Sequence, residues 1–285
     1  MARALGIDVG GTKLVAGVVT DAGEVLTRRQ APTEGDEADE VFARLASLID
    51  EVRTGDEVAC GVGCGGPMSP GGEAVSTLNI PAWRDFPLRR RLAESTLLPT
   101  FVDNDAKALA VGEGWVGAAR DAEDFLAMVV STGVGGGIVL NGHLLDGAAG
   151  NAGHIGHMIV EPGGPRCGCG AYGCLEACAS GPSIEAATGR PPEEAPPEVV
   201  ERTGTLTGRA IASVANLLDL RLAVVGGGVA LGFGEPFFAA AQAEMDRSAC
   251  LDFSAGARVV PAGLGRDGGL VGGARVGFLG LVENC

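Results

Sequence analysis

The sequence predicts a mixed α/β protein made of two related halves. Residues 10–13 form a glycine-rich turn between two apolar, β-branched runs, and residues 131–137 form a second turn of the same kind between two further apolar runs. Apolar side chains recur at helical spacing between the two turns, from Val41 to Val52. Strands joined by tight turns and backed by amphipathic helices are typical of an α/β domain, and their repetition indicates a duplication.

The elements of the first half follow from its apolar periodicity. We expect strands over residues 5–9, 14–19 and 58–63, with a helix over residues 41–52 before the third strand. A fourth strand over residues 99–102 runs into Asp103, Asn104 and Asp105, and residues 106–115 then continue as a helix. These three polar residues therefore stand at the C-terminal end of a strand.

The second half repeats this outline. Strands are expected on both sides of the second glycine turn, over residues 126–130 and 138–140, and again over residues 222–225. The last of these runs into Gly226, Gly227 and Gly228 and a helix over residues 236–247, an α/β unit of the kind that binds nucleotides. Residues 190–197 contain four prolines and are expected to form a loop, and a helix is expected from residue 268 onward.

Composition and charge exclude several classes of protein. The formal net charge is −15, which argues against nucleic acid as a partner because such binding depends on Lys and Arg neutralising phosphates. Residues 125–145 carry no charged side chain, but their five glycines favour two buried strands over a membrane helix. The N-terminal residues lack the pattern of a signal peptide, and the cysteine spacing suits a reducing compartment. We therefore expect a cytoplasmic protein with no membrane partner.

The first glycine turn carries groups that suit a phosphate. Gly10 and Gly11 expose backbone N–H groups, Thr12 and Lys13 add a hydroxyl and an ammonium, and Asp8 can hold the accompanying magnesium through water. The spacing is that of neither a Walker A loop nor a dinucleotide-binding loop. A hairpin turn that binds no ligand and has a solvent-exposed lysine would give the same sequence pattern.

A second group of residues has the spacing of a metal site. His157 precedes Cys167 by ten residues, and Cys169 and Cys174 complete a set of three cysteines and one histidine. Such a set is typical of a closed, tetrahedral structural zinc, whose function would be to fold the surrounding loop. Three free thiols beside an unrelated histidine are the alternative, and a disulfide is disfavoured by the short spacing and the odd number.

The polar residues at the end of the fourth strand permit two interpretations. Asp105 can accept a proton from an alcohol during phosphoryl transfer, because a carboxylate between a strand and a helix is held rigidly. Alternatively, Asp103 or Asp105 caps the helix that begins near Ala106. Asn79 and Asn104 can both donate to and accept from sugar hydroxyls.

Taken in order along residues 5–280, these motifs resemble those of the ROK family of sugar kinases and repressors, within the superfamily of sugar kinases and actin. The resemblance rests on the two glycine turns, the strand end at residues 103–106 and four further segments. These are residues 78–83 with Pro87 and Leu88, the Gly156–His157 pair, the cysteine segment 167–176 and residues 225–228.

The resemblance implies an actin-like (ribonuclease H-like) duplicated α/β fold of two lobes that close a central cleft around sugar and ATP. It places the small lobe at residues 1–104, with the helix over residues 268–285 packing back on it, and the large lobe with the zinc loop at residues 105–267. It also implies ATP-Mg as phosphoryl donor, one structural zinc, and a homodimer or homotetramer. The expected activity is phosphorylation of the 6-hydroxyl of a hexose, with glucose as the first candidate.

The resemblance also assigns roles to individual residues, with Asp105 as the catalytic base. The expected sugar-binding residues are Gly66, Asn79, Asn104, Asp105, His154, His157 and Glu176. The expected ATP- and phosphate-binding residues are Asp8, Gly10, Gly11, Thr12, Lys13, Thr132, Gly133, Gly227 and Gly228. The expected zinc ligands are His157, Cys167, Cys169 and Cys174.

One position departs from the commoner family pattern. Where many ROK glucokinases have glutamate, this chain has His154, which offers one acceptor nitrogen in place of two oxygens. Some N-acetylmannosamine kinases carry histidine there, so that activity, or phosphorylation of another N-acetylhexosamine, is the alternative. The repressors of the family carry a DNA-binding helix-turn-helix segment before the first glycine turn, and a sugar-sensing repressor is disfavoured here because only seven residues precede Asp8. A catalytically silent sugar-binding module is disfavoured by the retained Asp105 and by both glycine turns.

Overall fold

The computed structural model describes residues 1–283. Its strands are β1 (Arg3–Val9), β2 (Lys13–Thr20), β3 (Val25–Pro32), β4 (Ala59–Cys64), β5 (Thr100–Asn104), β6 (Phe125–Val130), β7 (Val134–Leu140), β8 (His143–Leu144), β9 (Leu222–Gly226) and β10 (Arg258–Pro261). Its α-helices are α1 (Ala38–Val52), α2 (Leu88–Thr96), α3 (Asp105–Val116), α4 (Leu175–Ala179), α5 (Gly181–Thr188), α6 (Pro197–Leu218), α7 (Gly228–Phe233), α8 (Glu235–Ser248) and α9 (Gly268–Glu283). Short 3-10 turns lie at Pro70–Gly72, Ile155–His157, Pro192–Glu194 and Gly265–Asp267.

The chain divides into two compact units. Unit 1 comprises Met1–Gly117, Asp146–Ala152 and the described residues from Arg266 onward, and unit 2 comprises Ala118–Leu145 and Gly153–Gly265. The chain thus leaves unit 1 after α3, and not after Asn104, because α3 packs against β4 and α9. The helix expected over residues 268–285 is α9, and its last two expected residues lie outside the described part of the chain.

The two units contain sheets of the same topology. In unit 1 the strand order is β3-β2-β1-β4-β5, and in unit 2 it is β8-β7-β6-β9-β10. In each sheet the central strand, β1 or β6, is antiparallel to its hairpin partner and parallel to its other neighbour. Both glycine turns therefore occupy the same position in their sheets, and the predicted duplicated, actin-like α/β fold is confirmed.

Strand β1 presents alternate residues to the two faces of the unit 1 sheet, as the pleat of a strand requires. Leu5, Ile7 and Val9 belong to the apolar cluster that contains the buried side of α1, whereas Ala4 packs with Leu270 and Ala274 of α9. The α9 face has little room for side chains: a methyl group added at Gly61 would lie 2.0 Å from the Gly273 carbonyl oxygen. Glycine on both elements thus allows the helix to lie directly on the sheet.

Unit 2 has its own apolar core between its sheet and the helices α6 and α8. The core contains Leu126, Met128 and Val130 of β6 together with Ile211, Phe237 and Met245 of the two helices. The charge-free run over residues 125–145 forms β6, β7 and β8, as expected for buried strands. None of the helices over residues 1–283 is long and apolar enough to cross a membrane.

Candidate active site

Three parallel strands of unit 1 end at the same edge of their sheet. Asp8 of β1 pairs with Gly63 of β4, which pairs with Asp103 of β5. The position between them is closely packed against α3, since a methyl group at Gly63 would lie 3.0 Å from the Ala108 Cβ atom and 3.4 Å from the Asp105 Cα atom. The carboxyl ends of parallel strands are where α/β proteins bind ligands. The structure therefore brings Asp8 and Asp105 to one edge of the sheet, the edge at which a ligand is expected.

Asp8 is a partly buried carboxylate on the α9 face of the sheet. Burial and the nearby charge of Asp105 raise its pKa to about 6, although Lys13 and Arg28 oppose the shift. The carboxyl group lies against the first turn of α9, where a methyl group at Gly269 would be 2.4 Å from the Asp8 Oδ2 atom. The N-terminus of a helix stabilises negative charge. Together with a bound cation, the N-terminus of α9 would therefore favour the ionised form of the Asp8 carboxyl group.

The first glycine turn is fixed by backbone contacts, and two of its side chains face solvent. The Gly10 N–H donates to the Lys13 carbonyl oxygen at 3.0 Å, and the Thr33 hydroxyl donates to the Gly10 carbonyl oxygen at 2.8 Å. Thr12 and Lys13 are exposed. The turn thus keeps a defined shape while its hydroxyl and ammonium groups remain accessible to a ligand.

The loop that carries Asn79 packs directly on this turn. A methyl group at Gly11 would lie 2.4 Å from the Asn79 Cβ atom, so the two segments are in contact. The loop is anchored by Trp83, which is fully buried, stacks on Phe86 at 4.5 Å between ring centroids and donates from Nε1 to the Ala38 carbonyl oxygen. Asn79 itself is exposed. The expected sugar-binding amide and the expected phosphate turn are therefore neighbours.

Gly66, another expected sugar-binding residue of unit 1, follows β4. It is partly exposed and precedes Pro67 in a cis peptide bond.

The turn from β5 into α3 shows that Asn104, and neither Asp103 nor Asp105, is the N-cap of α3. Asn104 is the N-cap of α3, and its Oδ1 atom accepts from the Ala106 N–H at 3.0 Å. Asp105 Oδ1 also lies 2.9 Å from that N–H, and Asp103 Oδ1 accepts from the Asn104 N–H at 2.7 Å. Asn104 therefore uses its carbonyl oxygen in the cap, which leaves its amide N–H groups for a ligand.

The second glycine turn, in unit 2, is held by a carboxylate. The Val134 N–H donates to Glu176 Oε2 at 2.9 Å, and the Ser131 N–H donates to the Gly133 carbonyl oxygen at 2.9 Å. Thr132 and Gly133 are partly exposed between these contacts. One Glu176 oxygen thus stabilises the turn, and the other is the oxygen for which a contact with a sugar hydroxyl is predicted.

Gly227 and Gly228 lie beside this second turn. Strands β6 and β9 pair up to Val129 and Gly226, so both chains leave the sheet at the same edge. Gly227 has a φ of +96°, and a methyl group there would lie 2.4 Å from the Val130 carbonyl oxygen. Thr132, Gly133, Gly227 and Gly228 are therefore brought together in unit 2, as the expected nucleotide-binding residues.

The His/Cys set of unit 2 also comes together. The ligand atoms of His157, Cys167, Cys169 and Cys174 all lie within 4.8 Å of one another. Cys167 Sγ is 3.6 Å from His157 Nδ1, and Cys169 Sγ is 3.7 Å from Cys174 Sγ. A tetrahedral zinc with Zn–S of about 2.3 Å and Zn–N of about 2.0 Å sets its ligand atoms roughly 3.5–3.8 Å apart. The donor set and its spacing fit a structural zinc ion.

Two expected sugar-binding residues of unit 2 adjoin this cluster. The His154 ring stacks on His157, with 5.9 Å between ring centroids and an interplanar angle of 25°. Glu176 is the second residue of α4, and Cys174 is the N-cap of that helix. The conformation of the loop that the four ligands share therefore determines where His154 and Glu176 lie.

The structure also contains two charged side chains that were not predicted to have a functional role. Lys107 is buried two residues after Asp105 and contacts Asp103 and Asp146. Arg28 pairs with Asp267 at 3.0 Å, just before α9 begins. The contacts with Asp146 and Asp267 join residues that are distant in sequence, so local patterns did not predict them, whereas Asp103 lies only four residues before Lys107.

Comparison with known proteins agrees with this geometry. The ROK family model matches residues 4–276. A glucokinase of Halalkalibacterium halodurans is 35% identical over 94% of this chain and 93% of its own length. An N-acetylmannosamine kinase of Escherichia fergusonii is 36% identical over 81% of this chain and 84% of its own. A ROK family glucokinase structure from Streptomyces griseus, in complex with glucose and AMPPNP, is 29% identical, with a TM-score of 0.86 over 98% of this chain and 100% of that chain. The family model covers most of the chain, and this chain belongs to the ROK family.

Proposed function

We propose that this protein is an ATP-dependent hexose kinase that phosphorylates the 6-hydroxyl group of its sugar, with glucose as the principal substrate. The observation that carries the proposal is the position of Asp105, which lies at the same sheet edge as Asp8 and the first glycine turn. The similar glucokinases support the choice of reaction and sugar.

Asp105 would act as the general base. As the sugar 6-oxygen forms a bond to the γ-phosphorus and the bond to the leaving ADP oxygen breaks, the hydroxyl proton would pass to the Asp105 carboxylate. Its place at the first residue of α3 fixes the carboxylate relative to the β5 edge. The reaction needs little other covalent help from the protein, because positioning and charge neutralisation supply most of the catalysis.

The two glycine turns would bind the nucleotide. In unit 1 the exposed Thr12 and Lys13 would contact phosphate oxygens, and Asp8 would face the magnesium that accompanies ATP. In unit 2 the backbone at Gly133, Gly227 and Gly228 would supply neutral donors.

The sugar would be recognised by side chains that both donate and accept. The proposed set is Gly66, Asn79, Asn104, Asp105, His154, His157 and Glu176. Asn104 offers donors, since its oxygen caps α3, and Glu176 offers one acceptor oxygen beside the one that holds Val134.

A zinc ion held by His157, Cys167, Cys169 and Cys174 would stabilise the loop beside His154 and Glu176. When bound it would act as a structural cross-link, because four protein ligands leave no position for substrate. This role supports the sugar site indirectly, through the loop conformation.

The direct test is a substrate screen with the purified protein. ADP release is measured with glucose, mannose, N-acetylglucosamine and N-acetylmannosamine, each with ATP and magnesium. We expect glucose to give the highest kcat/KM and the product to be the 6-phosphate. If none of these sugars accelerates ADP release above the rate without sugar, the proposed activity is wrong.

N-acetylmannosamine phosphorylation is the second candidate, favoured by His154 and by the similar kinases of that specificity. A single acceptor nitrogen should tolerate an N-acetyl group better than a carboxylate does, because it imposes a smaller desolvation cost. His154→Glu should then shift the kcat/KM ratio toward glucose, where a tenfold change corresponds to about 1.4 kcal/mol. An unchanged ratio in protein that keeps its metal would mean that His154 does not read the C2 substituent.

From the family resemblance we also propose a homodimer or homotetramer in the cytoplasm. Light scattering coupled to gel filtration of the purified protein measures the assembly state directly.

A further inference from the structure

Lys107 is an unusual side chain for its position. The chain has only two lysines, Lys13 in the first glycine turn and Lys107 in α3, among 21 basic residues. Lys13 is exposed, whereas Lys107 is 2% exposed and is among the largest fully buried side chains. A buried ammonium group is strongly destabilising unless its charge and hydrogen bonds are satisfied. The residue therefore needs partners that compensate for its burial.

Those partners satisfy all three donors of the ammonium group. Lys107 Nζ lies 3.1 Å from Asp103 Oδ1, 2.5 Å from Asp146 Oδ1 and 3.3 Å from the Gly150 carbonyl oxygen. Burial lowers the pKa of Lys107, but Asp103 and Asp146 outweigh that effect and hold the pKa above its ordinary value. The side chain is thus a charged three-way cross-link.

On one side the cross-link closes the turn that carries the proposed base. The Asp103 carboxylate accepts from the Asn104 N–H and also pairs with Lys107 four residues later. Asp105 lies between these two residues, on the same turn of the chain. Any displacement of Lys107 therefore disturbs the segment from which Asp105 projects.

On the other side the cross-link anchors the loop Asp146–Ala152, which packs within unit 1. The loop is closed on itself by a hydrogen bond from the Ala152 N–H to the Asp146 carbonyl oxygen at 2.8 Å. Lys107 contacts both its first residue and its Gly150 carbonyl oxygen. Only Gly153 separates this loop from His154 along the chain.

We propose that Lys107 is a positioning residue for sugar phosphorylation, holding the Asp105 turn and the 146–152 loop in their active arrangement through its contacts with Asp103, Asp146 and Gly150. The inference rests on the proposed kinase function. Because the residue acts through Asp105 and through the loop before His154, its loss should affect turnover and sugar affinity while leaving ATP affinity unchanged.

The test separates the two sides of the cross-link. Lys107→Met removes the charge and retains an unbranched apolar chain, whereas Asp146→Ala removes the charged one of the two loop contacts and leaves the Asp103 contact in place. Asp146 is 70% exposed, so its substitution leaves a folded protein even where Lys107→Met does not. Asp146→Glu is the conservative variant that can restore the pair. Glu57→Gln, at the other end of β4, is the control for loss of a buried carboxylate, since that side chain is 0% exposed.

The expected results differ between variants. Lys107→Met should lower kcat by about tenfold or more and raise the KM for sugar, because small displacements of a base and its substrate have large effects on rate. Asp146→Ala should raise the KM for sugar about tenfold, with kcat within about threefold of wild type, and Asp146→Glu should recover most of the loss. Glu57→Gln should lower stability without changing either constant.

A spectroscopic measurement complements the kinetics. Protein labelled with 15N-lysine contains only two side-chain ammonium groups, so the buried one should give a single signal protected from solvent exchange. That signal should shift or lose its protection in Asp146→Ala.

Two results would overturn the inference: an Asp146→Ala protein whose KM for sugar stays within about twofold of wild type, or a folded Lys107→Met protein with unchanged kcat/KM. Both require a wild-type protein that phosphorylates sugar. A wild type without that activity would overturn the proposed function itself.

Discussion

The two sheets share one topology but differ in what stands at the ends of their parallel strands. In unit 1 the ends of β1 and β5 carry Asp8 and the Asp103–Asp105 segment, which are acidic. In unit 2 the corresponding strands β6 and β10 run into Ser131 and Ala262, and no acidic residue lies at either end. The two similar sheets thus differ at these strand ends, where unit 1 carries carboxylates and unit 2 carries a hydroxyl and small residues.

The charge of the unit 1 edge is tested most directly at Asp105. Asp105→Asn keeps the shape of the side chain and removes the proton acceptor, so kcat should fall by about 100-fold or more while sugar binding persists. Steady-state kinetics and calorimetric sugar titration measure the two effects. If turnover stayed above roughly a third of wild type, the base would have to be another residue.

The second prediction concerns the loop of unit 2 that holds His157, Cys167, Cys169 and Cys174, and the zinc ion that these residues are proposed to bind. The purified protein should contain about one zinc per chain, and Cys167→Ser or chelation should raise the KM for sugar by about tenfold or more, because the loop before Glu176 loses its cross-link. Metal analysis and kinetics on the same samples provide the measurement. Cys250→Ser, at an exposed cysteine outside the cluster, is the matched control. Full activity in metal-free protein would contradict the assignment.

Substitutions at Gly227 and Gly232 test whether the close backbone packing beside the second glycine turn requires glycine. Gly227→Ala places a methyl group 2.4 Å from the Val130 carbonyl oxygen at a φ of +96°, and should destabilise the protein by about 2–3 kcal/mol and raise the KM for ATP. Gly232→Ala meets nothing within 4 Å inside α7 and should be neutral or stabilising by up to about 1 kcal/mol. Urea unfolding compares the stabilities of the two variants. Equal unfolding midpoints would show that the close contact at Gly227 does not contribute to stability.

The pH dependence of unfolding tests how the ionised Asp8 carboxylate affects the stability of the protein. The folded pKa of Asp8, raised to about 6 by burial and by Asp105, lies above the unfolded value of 3.8. The folded state therefore holds the proton more firmly, and ionised Asp8 becomes increasingly destabilising from about pH 4 to pH 6, with a constant effect above pH 6. Asp8→Asn should remove this penalty and stabilise the protein by about 1–3 kcal/mol at pH 7.5, with a smaller gain at pH 5.

The control for this measurement is Asp50→Asn, at an exposed carboxylate on α1. The two variants are compared by urea unfolding at both pH values in the absence of nucleotide. A gain from Asp8→Asn that is the same at pH 5 and pH 7.5 would contradict the assignment of the raised pKa to this residue.

Local patterns in the sequence were sufficient to predict the turns, several strands and the spacing of the His/Cys set. Those features depend on residues close in sequence, such as Gly10 beside Lys13 or Cys167 beside Cys169. The four expected zinc ligands indeed come within 4.8 Å of one another. Two glycine turns in equivalent positions likewise predicted the duplicated sheets that the structure has.

Features that depend on distant partners could not be predicted in this way. The 22-residue helix α6 was not expected, because its threonines and glycines have low helix propensity. In the fold Gly204 and Gly208 let α8 approach, and a methyl group at Gly208 would lie 2.3 Å from the Ala241 carbonyl oxygen. The Lys107 contact with Asp146 is equally invisible in the sequence, since 39 residues separate the pair.

The packing of α9 on Gly61 and Gly273 has a consequence for synthesis on the ribosome. Most of unit 1 precedes unit 2 along the chain, yet the helix that covers one face of the unit 1 sheet comes from residues 268–283. At about 5–20 residues per second, the ribosome needs roughly 8–30 s to translate from residue 117 to residue 268. Throughout that interval β1 and β4 lack the helix that covers them, so the continuous stretch 153–265 of unit 2 is complete first. A nascent chain stalled near residue 265 should therefore leave the unit 1 strands open to proteases and chaperones.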